Sequence, residues 1–76
     1  MDPNHQVAEN VRTARLQAGL SQEDLAAAAG LDRTYISGIE RGVRNPTVLV
    51  LASIALALKV DVTDLVAGIG RDPKRR

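Results

Sequence analysis

Within "GLDRTYISGIERG", residues 30–42, Arg33, Thr34, Ser37, Gly38 and Arg41 recur at a spacing that puts them on one stripe of a helix, opposite Ile36 and Ile39. The stripe begins at the helix amino terminus, where backbone N–H groups lack partners and the dipole leaves partial positive charge. Such a face suits an anion. Arg33, in the first turn, can make a two-toothed contact to guanine O6 and N7, while Thr34 and Ser37 can hydrogen-bond bases or touch a thymine methyl. Glycine inside a helix costs ~1 kcal/mol against alanine, so Gly38 calls for a reason, and removing side-chain bulk where DNA comes close would be one. The plainer alternative is a solvated helix face on which Gly38 has no role.

Other polar residues flank this stripe. Gln22 and the loop "GVRNP", with Arg44 and Asn45, lie before and after this helix, where side chains would meet the phosphate backbones beside a groove that the stripe enters. Gln22 reads equally as an ordinary first-turn residue, and Asn45 as an ordinary helix cap. Tyr35, the only aromatic residue, suits either a sugar or base contact or the edge of the core. Glu40 follows Ile36 and Ile39 toward the interior, and a buried carboxylate requires a partner. Arg15 is the first choice for that partner; the alternative is an edge position, paired loosely with Arg44 or solvent.

Charge places any DNA contact locally rather than globally. The chain carries 10 Lys and Arg against 9 Asp and Glu. Residues 71–76, "RDPKRR", hold four of those bases and one acid, so the rest has six bases against eight acids, a net −2. Phosphate binding therefore depends on where Arg12, Arg33, Arg41 and Arg44 are set.

The elements that position these residues are all helical, because no segment alternates as a half-buried strand does. A first helix is expected over about Gln6–Ala18, with Val7, Val11, Ala14 and Leu16 on its apolar side and Gly19 as a left-handed stop. Ser21 and Asp24 form a capping box for a short second helix, which buries Leu25, Ala26 and Ala29 and ends at Gly30. Asp32 caps a third helix closing at Gly42. So short a glycine-containing turn between the second and third helices makes them cross steeply, as a helix-turn-helix. Asn45 and Pro46 mark the start of a fourth helix reaching about Leu58. Asp61 and Asp64 open a short fifth, with Val62, Leu65 and Val66, ended by Gly68 or Gly70. The expectation is one compact all-α domain of five helices over residues 1–70, followed by a disordered basic tail at 71–76.

Several functional classes find no support. Cysteine is absent, excluding disulfides and thiolate metal sites. The single histidine, His5, is expected to be an untied side chain near the terminus, with no cluster that would make a metal or acid–base site. No nucleophile with its base and no phosphate loop is present, so neither an enzyme nor a cofactor is expected. "MDPNHQVAEN" has no basic region followed by an apolar one, and "VLVLASIALAL", at 48–58, is shorter than the ~20 residues a membrane-spanning helix needs. A soluble, cytoplasmic protein is the expectation.

That apolar run raises a separate question. Val48, Leu51, Ile54, Ala55 and Leu58 suffice for a core face, leaving Leu49, Val50 and Leu56 as surplus. The surplus points to a two-fold homodimer through the fourth and fifth helices, with Val62 and Val66 contributing, or else to scattered surface residues of no consequence.

The joint pattern "LSQEDLA", "G", "YISGIERG", "NP" and "IALALKV" resembles the phage-repressor and Cro type of helix-turn-helix family, often called Xre-type, over about residues 7–66. Within it, "LDRTYISGIERG.RN" looks most like the small controller proteins of restriction–modification systems. The resemblance implies a dimeric transcription regulator of its own operon and of an endonuclease gene, with the third helix in the major groove of double-stranded DNA. By matching position, base-reading residues fall on Arg33, Thr34, Ser37, Tyr35 and Asp32, the backbone-contacting glutamine on Gln22, and the buried ion pair on Arg15 and Glu40. Lys59 departs from the family, which usually has glycine there. RNA polymerase is a further candidate contact. An antitoxin or other interaction module, binding a hetero-partner through the apolar fourth helix, is the competing reading.

Overall fold

Five helices, α1 (Pro3–Gln17), α2 (Gln22–Ala29), α3 (Arg33–Glu40), α4 (Val48–Leu58) and α5 (Val62–Leu65), make up the computed structural model, which describes residues 2–70. No strand occurs among the described residues, and the tail expected at 71–76 lies outside them.

Local chemistry accounts for most helix ends. In α2 the Ser21 hydroxyl accepts from the Asp24 N–H at 2.9 Å and the Asp24 carboxylate accepts from the Ser21 N–H at 3.3 Å, closing the expected capping box. Gly30 then ends the helix at φ 71°, a conformation costly for any residue with a Cβ. Ahead of α5, the Asp64 carboxylate reaches back to the Asp61 N–H at 3.1 Å. Asp32 precedes α3 with extended backbone but makes no side-chain cap hydrogen bond.

Three ends differ from expectation. Helix α1 starts three residues early, because the Asp2 carboxylate accepts from the Asn4 N–H at 2.9 Å and Pro3 fits the first turn. The cap of α4 is Thr47 rather than Asn45: its hydroxyl accepts from the Val50 N–H at 3.1 Å. Pro46 therefore lies outside the helix and biases Asn45 toward extended backbone. Helix α5 stops at Leu65, before either Gly68 or Gly70, with Val66 as its closing residue.

The core gathers Val7, Val11, Leu25, Ala26, Ile36, Ile39, Leu51, Ile54, Ala55, Leu58 and Leu65. Helix α3 packs on α1 and α2, α2 packs on α4, and α5 contacts both α1 and α4. Burying each large aliphatic chain stabilises by ~1.5–3 kcal/mol. Two residues expected inside are outside: Leu16 is 57% and Val48 72% exposed. Val48 opens α4 one turn before the first buried residue, Leu51, and so projects past the end of the core.

Two contacts across the chain were not anticipated. The Asn10 side-chain amide donates to the carbonyls of Leu65 (3.0 Å) and Ala67 (2.9 Å), and Gln6 donates to Asn10 Oδ1 at 3.1 Å. The two bonds from Asn10 hold the end of α5 onto α1, and the one from Gln6, within α1, orients the Asn10 amide. His5, expected to be untied, belongs to α1, and its ring covers Gly42: a Cβ at residue 42 would lie 2.9 Å from His5 Cδ2.

Candidate nucleic-acid interface

Helix α3 is mounted through its buried end. Arg15 on α1 donates from Nε to Glu40 Oε2 at 2.6 Å and from Nη2 to Glu40 Oε1 at 2.9 Å. Its Nη1 donates to the Leu20 carbonyl at 2.8 Å. The two side chains are only 10% and 4% exposed, so the alternative of a loosely paired Glu40 at the edge does not hold. The hydrogen bond to Glu40 raises the Arg15 pKa, against the opposing effect of burial and with added attraction from the Glu40 charge. Gln22, at the start of α2, gives its side-chain amide to Glu40 Oε1 at 3.1 Å. One carboxylate thus joins α1, α2 and α3.

With α3 held at that end, its amino-terminal turn faces outward. Asp32, Arg33, Thr34 and Arg41 are exposed, and Ser37 is half-buried beside them. Tyr35 is half-buried and packs against the core. Arg44 and Asn45 are exposed in the loop after α3, with the Arg44 guanidinium carbon 5.8 Å from the Tyr35 ring centroid, a cation–π distance. Arg12 is exposed on α1. Exposed Arg33, Arg41 and Arg44 thus lie along α3 and the loop that follows it, although the described chain is acidic on balance.

Gly38 is where the structure corrects the sequence reading. It is buried, and the space left by its missing Cβ is filled by the Arg44 side chain rather than left open for DNA. Gln22 is not a free side chain, since one N–H of its amide is engaged by Glu40, which leaves its second N–H for another acceptor.

The surplus apolar surface of α4 is concentrated rather than spread. Leu49 and Leu56 are 80% and 81% exposed and stand two turns apart on one face. Val50, Val62 and Val66 are half-buried and pack mainly on the protein's own core. Val48 joins the exposed set.

Residues 11–65 match the helix-turn-helix family. The chain belongs to that family. Among its relatives, the control protein C.SmaI of Serratia marcescens is 46% identical over 70 residues, 92% of this chain and 83% of that one. The restriction-modification controller protein C.AhdI from Aeromonas hydrophila has a TM-score of 0.79 at 39% identity, covering 82% of this chain and 94% of that one. The controller protein C.Esp1396I, solved as a tetramer in complex with its natural 35 base-pair operator, has a TM-score of 0.78 at 42% identity over 86% of each chain. The expected all-α fold and the expected resemblance to controller proteins are both met in this helix-turn-helix chain. Its family is one of transcription regulators and not an enzyme family. Among the described residues no His, Cys, Asp or Glu cluster could hold a metal, and no helix is long and apolar enough to cross a membrane.

Proposed function

We propose that this chain is a homodimeric, sequence-specific transcription regulator that reads an inverted-repeat operator, and that it is the controller protein of a restriction–modification system. The observation that carries the reading is the exposed polar amino-terminal turn of α3 on a buried ion-pair mount, since a base-reading helix must be held in a fixed orientation. The B-DNA major groove, ~12 Å wide, admits one helix. Arg33 and Thr34 reach base edges, Ser37, Tyr35 and Asp32 complete the reading face, and Arg41, Arg44 and Asn45 contact phosphates. Gln22 orders the start of α2 through Glu40 and supports the interface from behind.

An inverted repeat sets its half-sites about one DNA turn, ~34 Å, apart, so the reading requires a two-fold dimer, and the exposed Leu49 and Leu56 face of α4 is the surface assigned to it. The relatives C.SmaI, C.AhdI and C.Esp1396I support the controller assignment, the last through its operator complex. The protein acts in the cytoplasm on double-stranded DNA, with no catalytic activity and no cofactor.

The test is selection of bound duplexes from a random pool at near-physiological salt, followed by sequencing. An inverted repeat is the expected product. Recovery of no motif by well-folded protein would reject the reading and favour a hetero-partner on the exposed leucines of α4.

A further inference from the structure

Arg44 is an exposed residue whose side chain is nevertheless held. A Cβ built on Gly38 would lie 2.5 Å from Arg44 Cγ, closer than two carbons can approach, and 3.4 and 3.5 Å from its Nε and Cδ. The stem of Arg44 therefore occupies the place of the missing side chain. The main chain fixes the same loop, since the N–H groups of Val43 and Arg44 both donate to the Gly38 carbonyl, at 3.0 and 3.2 Å. Beyond the stem, the guanidinium carbon lies 5.8 Å from the Tyr35 ring centroid. Gly38 forms the floor of a slot, the loop closes one end, and Tyr35 flanks the charged head.

We propose that Gly38 is a positioning residue for Arg44, so that DNA affinity depends on Gly38 only through the Arg44 guanidinium. This rests on the DNA-binding reading and adds to it the reason for a glycine within the recognition helix. A free arginine loses much rotamer freedom when it meets a phosphate; one already seated loses less. Alanine at 38 would expel the stem while favouring the helix intrinsically. Stability and DNA affinity should therefore part company.

The experiment is a double-mutant cycle with Gly38→Ala, Arg44→Ala and the double variant, each measured for DNA affinity against salt and for thermal unfolding. In the absence of DNA, the Arg44 methylene proton shifts report seating near the ring of Tyr35, the only aromatic residue in the chain. Both single variants are expected to weaken binding by about tenfold and to lower the slope of log affinity against log salt by about 1. The double variant should be no worse than Arg44→Ala alone. Gly38→Ala should also abolish the ring-current shift without lowering the unfolding temperature.

Equal loss from Gly38→Ala with and without the Arg44 side chain would overturn the proposal, because Gly38 would then meet DNA directly. Unchanged binding by Arg44→Ala would overturn it as well. If Gly38→Ala fails to fold, the double variant relieves the clash; its binding more weakly than Arg44→Ala would again count against the slot. Failure of the wild-type chain to bind any duplex rejects the DNA-binding reading itself, and the proposal falls with it. The ring-current comparison still decides separately whether Gly38 seats Arg44.

Discussion

Replacing Glu40 with alanine tests the mount of the recognition helix most directly. The substitution removes three hydrogen bonds, from Arg15 Nε at 2.6 Å, Arg15 Nη2 at 2.9 Å and Gln22 Nε2 at 3.1 Å. It leaves a guanidinium only 10% exposed, with the Leu20 carbonyl as its remaining acceptor. Removing one partner of a buried pair costs ~3–5 kcal/mol, chiefly because the other charge is stranded. At ~0.05–0.15 kcal/mol per residue, a chain of this length has a total stability of roughly 4–11 kcal/mol. A domain of this size loses about 4–8 °C of Tm per kcal/mol, so the expected fall is on the order of 20 °C. Thermal and urea unfolding followed by far-UV circular dichroism would measure it.

A control separates charge from shape. Combining Glu40→Leu with Arg15→Met removes both charges and should recover most of the loss, since well-packed apolar replacements of buried pairs are often neutral. A loss below about 1 kcal/mol in Glu40→Ala would refute the reasoning, because a pair of that value is a solvated one. The sign of the pH effect follows from Arg15. Its pKa is raised on folding, so its contribution is fully present below the unfolded value and is lost only as pH rises through the folded one. Both lie in strong alkali, so the titration of Arg15 leaves stability flat around neutrality.

Further outcomes follow from other parts of the molecule. Arg33→Ala, at the exposed first turn of α3, should cost ~1–3 kcal/mol of operator binding and relax preference at one base pair per half-site; equal loss on all sequences would mean a phosphate contact alone. Leu49→Glu combined with Leu56→Glu, at positions 80% and 81% exposed, should give a folded monomer by light scattering, and an unchanged dimer would move the interface elsewhere. Asn10→Ala should cost about 1–3 kcal/mol and speed amide hydrogen exchange in α5, because the carbonyls of Leu65 and Ala67 lose their donor. Lys59→Gly should stabilise by up to about 1 kcal/mol in urea unfolding, relieving a non-glycine residue at φ 60°.

The parts of this fold legible in the sequence are those decided within a turn of helix. Ser21 with Asp24, and the left-handed glycines at 19, 30 and 42, signal helix ends through bonds spanning a few residues. The spacing of Ile36, Ile39 and Glu40 gave the inward face of α3, and the need of a buried carboxylate for a cation singled out Arg15. The sequence does not separate the two candidate caps of α4, because Asn45 and Thr47 are both good caps and the proline between them fits either frame.

What the sequence alone determined is the all-helical class, the helix-turn-helix and the polar stripe of α3, because periodicity and capping act within a few residues. What only the tertiary structure decided is where each face ends and what fills each gap. Val48 has the periodicity of a core residue, but the core stops short of it. Asn10 reads as an unremarkable helix residue until α5 brings the Leu65 and Ala67 carbonyls against it, 55 and 57 positions along the chain. Gly38 signals a close approach in the sequence, and only the returning loop identifies what approaches as Arg44 rather than DNA. Close packing sets these contacts among segments distant in the chain, and no local pattern encodes which atoms will meet.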